Sequence, residues 1–561
     1  MDLNIRVAGE AGQGVQTTGS LLVGALAEMG LHVFATQSYL SRIRGGLNWF
    51  DVRIGDGPLF SGREKADVLV ALTDDALRVL RPHVSAGGAI LFEGRCDDGC
   101  IGIPFSEVAT QVGGSEVMAN AVAAGAIFAL LGYDLGPLTD YLGVQFKKKG
   151  AETIEKNAAC AREGAKRIGA RAATVAAPRP GAGPVSVSSG TEAVGLAAAT
   201  AGVKVVASYP MTPSTGVFTY LASAADRYGI VVEQAEDEVA AVNMICGATY
   251  AGVPAMTTTS GGGFALMAEG VALAGMLELP IVILLGQRPG PATGLPTRTA
   301  QQDLLFALHA GHGEFARALF APGTPEQAYR LTRRAFETAH WFQSPVILLL
   351  DQFLADLQTD TPPLDAALRP IDRCIVADAP ADYVRYAAAA GGVSPRAVPG
   401  GRAMVVVDSD EHTEDGHLTE DLEARVRLQD KRMAKMEGMR AEALPPERYG
   451  PPDARTLLVC WGSTLGPCRE AVDLLRGRGA SVAMLHFSQV WPLDAAAVRR
   501  AMGLEGDGAT RPKRILSVEG NATGQFLAVL AEAGACADGE RILKYDGMPF
   551  TGEEIAERVN L

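Results

Sequence analysis

Short apolar runs recur along the chain, each followed by a glycine- or proline-bearing turn and a stretch with helical spacing. The first run covers residues 3–7. A glycine loop and an Ala/Leu-rich helical stretch at 17–29 follow it, and runs at 33–34 and 66–72 repeat the pattern. This alternation predicts an α/β block with a mostly parallel sheet. The most apolar long stretch, 117–133, is rich in Ala and Gly, contains Asn120 and is short for a membrane span, so it predicts a buried helix.

Residues 172–190 (AATVAAPRPGAGPVSVSSG) are nearly free of large apolar side chains and predict an interdomain linker. Apolar runs resume at 203–208, 230–233, 255–259, 280–285 and 345–351, which predicts a second doubly wound parallel sheet. The following region is irregular except for a charged helical stretch at 419–442 before a Pro-rich break. A charge run of this kind predicts a solvated or interface helix without chemistry. Runs at 457–461, 481–487 and 515–519 restore the α/β pattern. The expected fold class is α/β and multidomain, with several mostly parallel doubly wound sheets.

Composition changes this picture little. With 48% hydrophobic and 20% charged residues among 561, each block can bury a core. A net charge of −14 without a basic tract makes nucleic acid and anionic membranes poor partners. The opening MDLNIRVAGE lacks the basic and apolar regions of a signal peptide, so the cytoplasm is the expected location. The eight cysteines are dispersed. Cys96 and Cys100 have a C-x3-C spacing, but there is no C-x2-C pair and no ferredoxin-type run. No disulfide is expected, and any electron carrier must sit on another chain. No metal site is expected either: His309 and His312 have helix-face spacing without further ligands. Cys246, in an Ala-rich stretch, reads as a small core residue.

The second block carries the chemistry. Ligands bind at the carboxyl ends of strands in open parallel sheets, and four strands here end in polar or glycine-rich strings. The first ends in YPMTPST (209–215). Thr212 has the character of an N-cap and Pro213 of a first helical residue. With the hydroxyls of Thr212, Ser214 and Thr215 nearby, this helix N-terminus suits a carboxylate. A lone Thr-Pro pair marks only a capped helix; the whole string is the specific signal. The second strand leads into EQAEDE (233–238). Acids are favoured at helix starts in any case, but Glu238 faces the small residues Ala240, Ala241 and Gly247, which leave space for a flat ligand. A desolvated carboxylate there has a raised pKa and exchanges a proton with a ring nitrogen. The third strand ends in TTTSGGGF (257–264), where Gly261, Gly262 and Gly263 let backbone approach a ligand. The loop lacks the P-loop lysine, which excludes an NTPase. The fourth ends in QRPG (287–290), with Arg288 placed for a bidentate grip on a carboxylate. A lone Arg there more often serves an interdomain salt bridge.

YPMTPST resembles the YPITPSS motif of the 2-oxoacid:ferredoxin oxidoreductase family. The stretch TSGGGFALMAEGVALAGMLELPIVILLGQRPGPATGLPT, the string SDEHTEDGHLTE ending at Glu420, SVEGNATGQF (517–526) and KYDGMPFTGEEI (544–555) also resemble its α subunits, most of all the 2-oxoglutarate type. GEAGQGV (9–15) and SYLSRIRGGLNWFDVRI (38–54) resemble its γ subunit, here fused ahead of α. The resemblance implies a γ-type domain over 1–175, a linker at 176–190, a pyrimidine-binding domain of the thiamine diphosphate fold over 191–365, a connecting segment over 366–454 and a transketolase-C-terminal-like domain over 455–561.

It implies coenzyme-A-dependent oxidative decarboxylation of 2-oxoglutarate to succinyl-CoA and CO2, reversible as reductive carboxylation, with electrons passing to ferredoxin. Glu238 is the implied contact to the aminopyrimidine ring of thiamine diphosphate and promotes its imino tautomer. Pro210, Gly261, Gly262 and Gly263 are implied cofactor contacts. Thr212, Ser214 and Arg288 are implied ligands of the substrate. Gly12, Gln13 and Gly14 are expected at coenzyme A, or else form a structural strand–helix turn. Gly-Asp-Gly occurs at 55–57 and 506–508 without the Asn-rich segment of a diphosphate motif, and both read as turns. The diphosphate, its Mg²⁺ and a 4Fe–4S iron–sulfur cluster then fall to a β subunit, in an αβ heterodimer or (αβ)2. The chain departs from the family pattern at Met211 (commonly Ile) and Leu47 (commonly His). Other substrates within the family are pyruvate, branched-chain 2-oxoacids and indolepyruvate. A non-redox thiamine-diphosphate transferase subunit and a non-catalytic scaffold are the readings from other classes.

Overall fold

The apolar runs become strands in a computed structural model that describes every residue except 42–44, 97–98, 506–510 and 560–561. In chain order they are β1 (Asp2–Glu10), β2 (His32–Ser38), β3 (Leu47–Gly55), β4 (Ala66–Ala71), β5 (Val84–Glu93), β6 (Ile101–Ile103), β7 (Val187–Ser189), β8 (Val205–Ser208), β9 (Val231–Gln234), β10 (Ala255–Ser260), β11 (Val282–Gln287), β12 (Ala318–Phe320), β13 (Val346–Asp351), β14 (Gln358–Asp360), β15 (Glu447–Tyr449), β16 (Thr456–Trp461), β17 (Val482–Phe487), β18 (Gln489–Trp491), β19 (Arg514–Glu519) and β20 (Glu540–Leu543). Two compact units result. One is Met1–Ser189 with Asp356–Pro363 and Thr551–Glu553; the other holds Gly190–Ala355, Leu364–Phe550 and Glu554–Leu561.

The N-terminal unit has one sheet, ordered β6-β5-β4-β1-β3-β2-β14-β7. From β1 to β6 the neighbours run parallel, as the alternation with helices predicts. On the other side β1/β3, β3/β2, β2/β14 and β14/β7 are antiparallel. Parallel pairing still predominates over the three sheets of the chain taken together. The antiparallel side arises because short connections join β2 to β3, too short for a crossover helix. Opposed across β1 and β3, Arg6 and Asp51 form an ion pair at 2.7 Å, which satisfies a buried guanidinium. The apolar stretch forms the buried helix Ala119–Leu131. It packs on Ala151–Ile168 so closely that a Cβ at Gly125 would lie 1.9 Å from Ala161 O, and one at Gly164 2.0 Å from Val122 O.

The stretch expected to be a linker is laid on this unit. Tyr133 Oη donates to Pro178 O at 2.7 Å, Val185 N–H donates to Ala27 O at 2.9 Å, and residues 187–189 add β7 to the sheet. Cys96 and Cys100 correct the expectation of no disulfide. They are joined, with Cα atoms 5.8 Å apart, a separation within bridging range.

In the second unit a seven-stranded sheet is ordered β18-β12-β13-β11-β10-β8-β9, parallel except for β18. A five-stranded sheet is ordered β15-β17-β16-β19-β20, parallel except for β15. Both sheets share one apolar core, with Phe264, Ile283 and Leu285 from the first region and Leu457, Trp461, Phe487 and Phe526 from the last. The charged stretch is the helix Leu422–Ala441, and it is not solvated all round. Lys431 and Lys435 point inward and bind the buried Glu278 at 2.7 and 2.6 Å. Burial works against that carboxylate, but Lys435 and Lys431 prevail and hold it well below the usual range. No single helix among the described residues is long and apolar enough to cross a membrane.

Candidate functional site

The carboxyl ends of β8, β10 and β11 and the start of the helix after β9 assemble the strand-end strings. That helix is Glu238–Tyr250. Asp237 caps it, accepting the Ala240 N–H at 2.7 Å, so the neighbouring Glu238 side chain is free to turn inward. It is 3% exposed, and its Oε1 has no hydrogen-bond partner. A small residue it meets is Gly263, whereas Gly247 is exposed with nothing near its Cβ position. A Cβ on Gly263 would stand 2.3 Å from Glu238 Oε1 and 2.3 Å from Thr259 Oγ1. Periodicity along one helix could not find this contact, because Gly263 comes from the next strand–helix connection. Cys246, on the buried face of the same helix, is a core residue whose thiol burial pushes up to about 12.

The three glycines do not form a loop. They open a short helix, Gly261–Leu266, since small residues there let the chain turn directly out of the fully buried β10. Thr257 Oγ1 and Ser260 Oγ, at the end of that strand, are buried without partners.

YPMTPST also departs from expectation. The helix after β8 begins at Thr215, not at Pro213, with Ser214 in the N-cap position, and the Thr212–Pro213 peptide is cis. Met211 O accepts both the Ser214 N–H at 3.0 Å and the Ser214 hydroxyl at 2.7 Å. Ser214 is buried and commits its proton to this turn, and Thr212 caps nothing. Instead the Thr212 carbonyl accepts a hydrogen bond from Arg288 Nη1 at 2.7 Å. The structure thus brings Thr212 and Arg288 together. Pro210 lies beside them on the same turn, half-buried.

Asp303 was not singled out by sequence reasoning. It is buried, with Oδ2 unpartnered. Burial raises its carboxyl to about 6, although Arg288 draws it the other way. The string QQDLL carried no strand-end or motif signal that would have found it.

The N-terminal unit has its own cavities. Gly12 and Gly14 adopt positive φ, 95° and 78°, and lead into the helix Val15–Glu28. Gln13 Oε1 accepts the Glu10 N–H at 2.7 Å, so that side chain stabilises the turn. A cavity of about 570 Å³ opens beside it, lined by Gly12, Gly14, Gln16, Tyr39, Asn48 and Trp49 among others. A second of about 400 Å³ reaches Gln13, Glu93 and Asn120. Leu47, where the family commonly has His, starts β3. Of the Gly-Asp-Gly strings, 55–57 is the bend after β3, and 506–508 lies outside the described residues. His309 is exposed, 3.4 Å from Glu532. Among the described residues no three His, Cys, Asp or Glu side chains converge to hold a metal ion.

Comparison with known proteins places this geometry. Residues 4–167 match the profile described as pyruvate ferredoxin/flavodoxin oxidoreductase. Residues 196–431 match that of pyruvate flavodoxin/ferredoxin oxidoreductase, thiamine diP-bdg. The 2-oxoacid:ferredoxin oxidoreductase subunit alpha of a Sulfolobus species is 30% identical over 99% of this chain and 96% of its own length. The 2-oxoglutarate synthase subunit KorA of Archaeoglobus fulgidus is 32% identical over 55% of this chain and 83% of its own. Among solved structures, the 2-oxoglutarate:ferredoxin oxidoreductase from Magnetococcus marinus, with 2-oxoglutarate, coenzyme A and succinyl-CoA bound, matches with a TM-score of 0.90 at 30% identity. That match covers 100% of this chain and 99% of the other. Similarity that runs through both units, over nearly the full length of a relative and at the level of the whole fold, settles the matter: this chain belongs to the 2-oxoacid:ferredoxin oxidoreductase family.

Proposed function

We propose that the chain is the α subunit, with a γ-type domain fused ahead of it, of a 2-oxoglutarate:ferredoxin oxidoreductase. It converts 2-oxoglutarate and coenzyme A to succinyl-CoA and CO2 and delivers the electrons to ferredoxin. The observation that carries this reading is the buried Glu238 oxygen, unpaired against Gly263, on the same sheet edge of strand ends as the Arg288–Thr212 pair. Leaving a buried carboxylate oxygen unsatisfied costs about 1–3 kcal/mol, and a ligand nitrogen removes that cost.

The residues fit the aminopyrimidine half of thiamine diphosphate. Glu238 Oε1 holds and moves a proton at a ring nitrogen. A side chain at Gly263 would fill the space between that oxygen and a ligand. Pro210, Gly261 and Gly262 line the same approach. When bound, the cofactor supplies the electron sink for the carbon that loses CO2. Arg288 keeps charged donors free for the substrate's C1 carboxylate while one nitrogen is tied to Thr212 O, and this fixes the direction of the guanidinium. Ser214 supports that turn from below.

The remaining assignments follow the same reading. Residues 1–175 form the γ-type domain, 176–190 the linker, whose residues 187–189 join the sheet of that domain, 191–365 the pyrimidine-binding domain apart from 356–363, which belong to the N-terminal unit, 366–454 the connection and 455–561 the C-terminal domain. Gly12, Gln13 and Gly14 border the cavity we assign to coenzyme A. A β subunit contributes the diphosphate site with Mg²⁺ and the 4Fe–4S cluster, in an αβ heterodimer or (αβ)2 in the cytoplasm.

The test is viologen reduction dependent on coenzyme A and 2-oxoglutarate, with the chain co-purified with its partner and with the chain alone. Activity in the complex only is the expected result. Turnover restricted to pyruvate or branched-chain 2-oxoacids would keep the reaction and replace the substrate. A complex loaded with thiamine diphosphate that acts on no 2-oxoacid would overturn the reading.

A further inference from the structure

Asp303 occupies the N-cap position of the helix Leu304–His309, yet its side chain makes no cap. The Leu305 N–H goes instead to Gln525 Oε1 at 3.0 Å, and Gln525 Nε2 donates to Gln302 O at 2.7 Å. The helix end is therefore closed by another element. Asp303 itself is fixed through its backbone, whose N–H donates to Gln287 Oε1 at 3.2 Å. Relieved of capping, the carboxylate lies over Gly261, where a Cβ would stand 2.9 Å from Oδ1 and 3.0 Å from Oδ2. The residue is 9% exposed and Oδ2 has no partner. An Asp at an N-cap ordinarily stabilises its helix. One that gives up this role and buries an unsatisfied oxygen points to a use elsewhere.

The charged surroundings define that use. Arg288 directly follows β11 and is tied to the Asp303 segment on both sides: the Asp303 N–H is held by its neighbour Gln287, and Gln302 Nε2 donates to Arg288 O at 3.0 Å, so the two charges act on each other. The helix Gly261–Leu266 carries no ionisable side chain. Gln525 is neutral, and Glu532 at the other end of the helix Gln525–Glu532 pairs with His309 at 3.4 Å. Glu238 meets Gly263 rather than Gly261. Resting on the proposed role of Arg288, we infer that Asp303 is a positioning residue of the carboxylate subsite, a fixed counter-charge that sets how strongly Arg288 holds the 2-oxoacid. When ionised, it takes up part of the Arg288 field and repels an incoming carboxylate. When protonated, it leaves Arg288 to the substrate alone.

Burial places this change near pH 6, since the Asp303 carboxyl is raised to about 6. KM for 2-oxoglutarate and kcat are measured by viologen reduction across that range, on the complex with the partner subunit, for the native chain and Asp303→Asn. Calorimetric binding of N-oxalylglycine, an unreactive dicarboxylate, accompanies them. The native KM is expected to rise roughly tenfold from about pH 5 to about pH 8. Asp303→Asn should keep the low value throughout, and the Kd of N-oxalylglycine should follow both patterns. A variant that binds more weakly than the native chain, keeps its pH slope, or changes kcat alone overturns the inference. Where Asp303→Asn does not assemble, Gln525→Leu decides: it frees the Leu305 N–H, draws Asp303 back to the cap and must flatten the profile in the same direction. A native complex that turns over no 2-oxoacid counts against the functional reading. The pH dependence of N-oxalylglycine binding then still decides the role of Asp303.

Discussion

Glu238 and Asp303 share a history within the fold: each lies where a helix starts, and in each case another residue does the capping. Asp237 caps in place of Glu238, and Gln525 closes the helix that Asp303 precedes. The EDE string makes the first substitution legible, because adjacent acids at a helix start divide the work between capping and burial. The second is invisible, because Gln525 lies more than two hundred residues away in sequence. If Glu238 is the proton-carrying group, Glu238→Gln should leave the complex assembled and lower turnover by at least about 100-fold. Near-normal rates in a correctly assembled variant would remove that role. Gly263→Ala should act through the same contact. Its Cβ would meet Glu238 Oε1 at 2.3 Å, so loss of thiamine diphosphate binding by calorimetry is expected, while unaltered affinity would mean the cradle is not there.

Among the elements, the helix Leu422–Ala441 shows what charge counting misses. Its composition fits a solvated rod. Yet Lys431 and Lys435, four residues apart on one helical face, meet Glu278 where the buried chain turns through positive φ at 52°. Removing one partner of such a cluster strands buried charge. Glu278→Gln should therefore cost roughly 3–5 kcal/mol in unfolding free energy by denaturant titration. A loss below about 1 kcal/mol would show that water reaches the lysines. The helix after β8 teaches the complementary lesson. Thr-Pro in YPMTPST has N-cap character, but the Arg288–Thr212 hydrogen bond and the Ser214–Met211 turn hold the chain out of helical geometry until Thr215. Local propensity was overruled by a contact between two strand ends.

For the whole molecule, buried histidines set an acid limit. Burial, aided by Arg396, lowers His340 to about 3, and burial lowers His486 to about 4 although a hydrogen bond to Gly462 O opposes it. Both values fall below the ordinary 6.5, so the stability they carry is complete above about pH 6.5 and is lost as pH falls toward 4 and then 3. Asp351, raised to about 6 by burial, has the opposite sign: its contribution is lost as pH rises from the usual 3.8 to about 6. Unfolding free energies at about pH 7 and about pH 5 separate the two. The native chain should lose about 1–2 kcal/mol more than His340→Gln over that interval, and equal losses would show that His340 is protonated in the fold.

Periodicity placed β4, β8, β9, β10, β11, β13, β16, β17 and β19 to within about two residues, because a buried parallel strand must be a continuous apolar run, but it missed β5, β6, β12 and β20. Strand ends then pointed to Thr212, Glu238, Gly261–Gly263 and Arg288, because an open parallel sheet presents its ligands there. The family was legible from motif strings long enough to be specific. Tertiary structure alone decided the partners across sequence: Gly263 against Glu238, Gln525 in place of Asp303, Glu278 under Lys431 and Lys435, the antiparallel half of the first sheet and the Cys96–Cys100 bridge. The physical reason is common to all of them. Burial, strand direction and the satisfaction of a polar atom depend on which distant element lies opposite, and no local pattern of hydrophobic and polar residues encodes that neighbour.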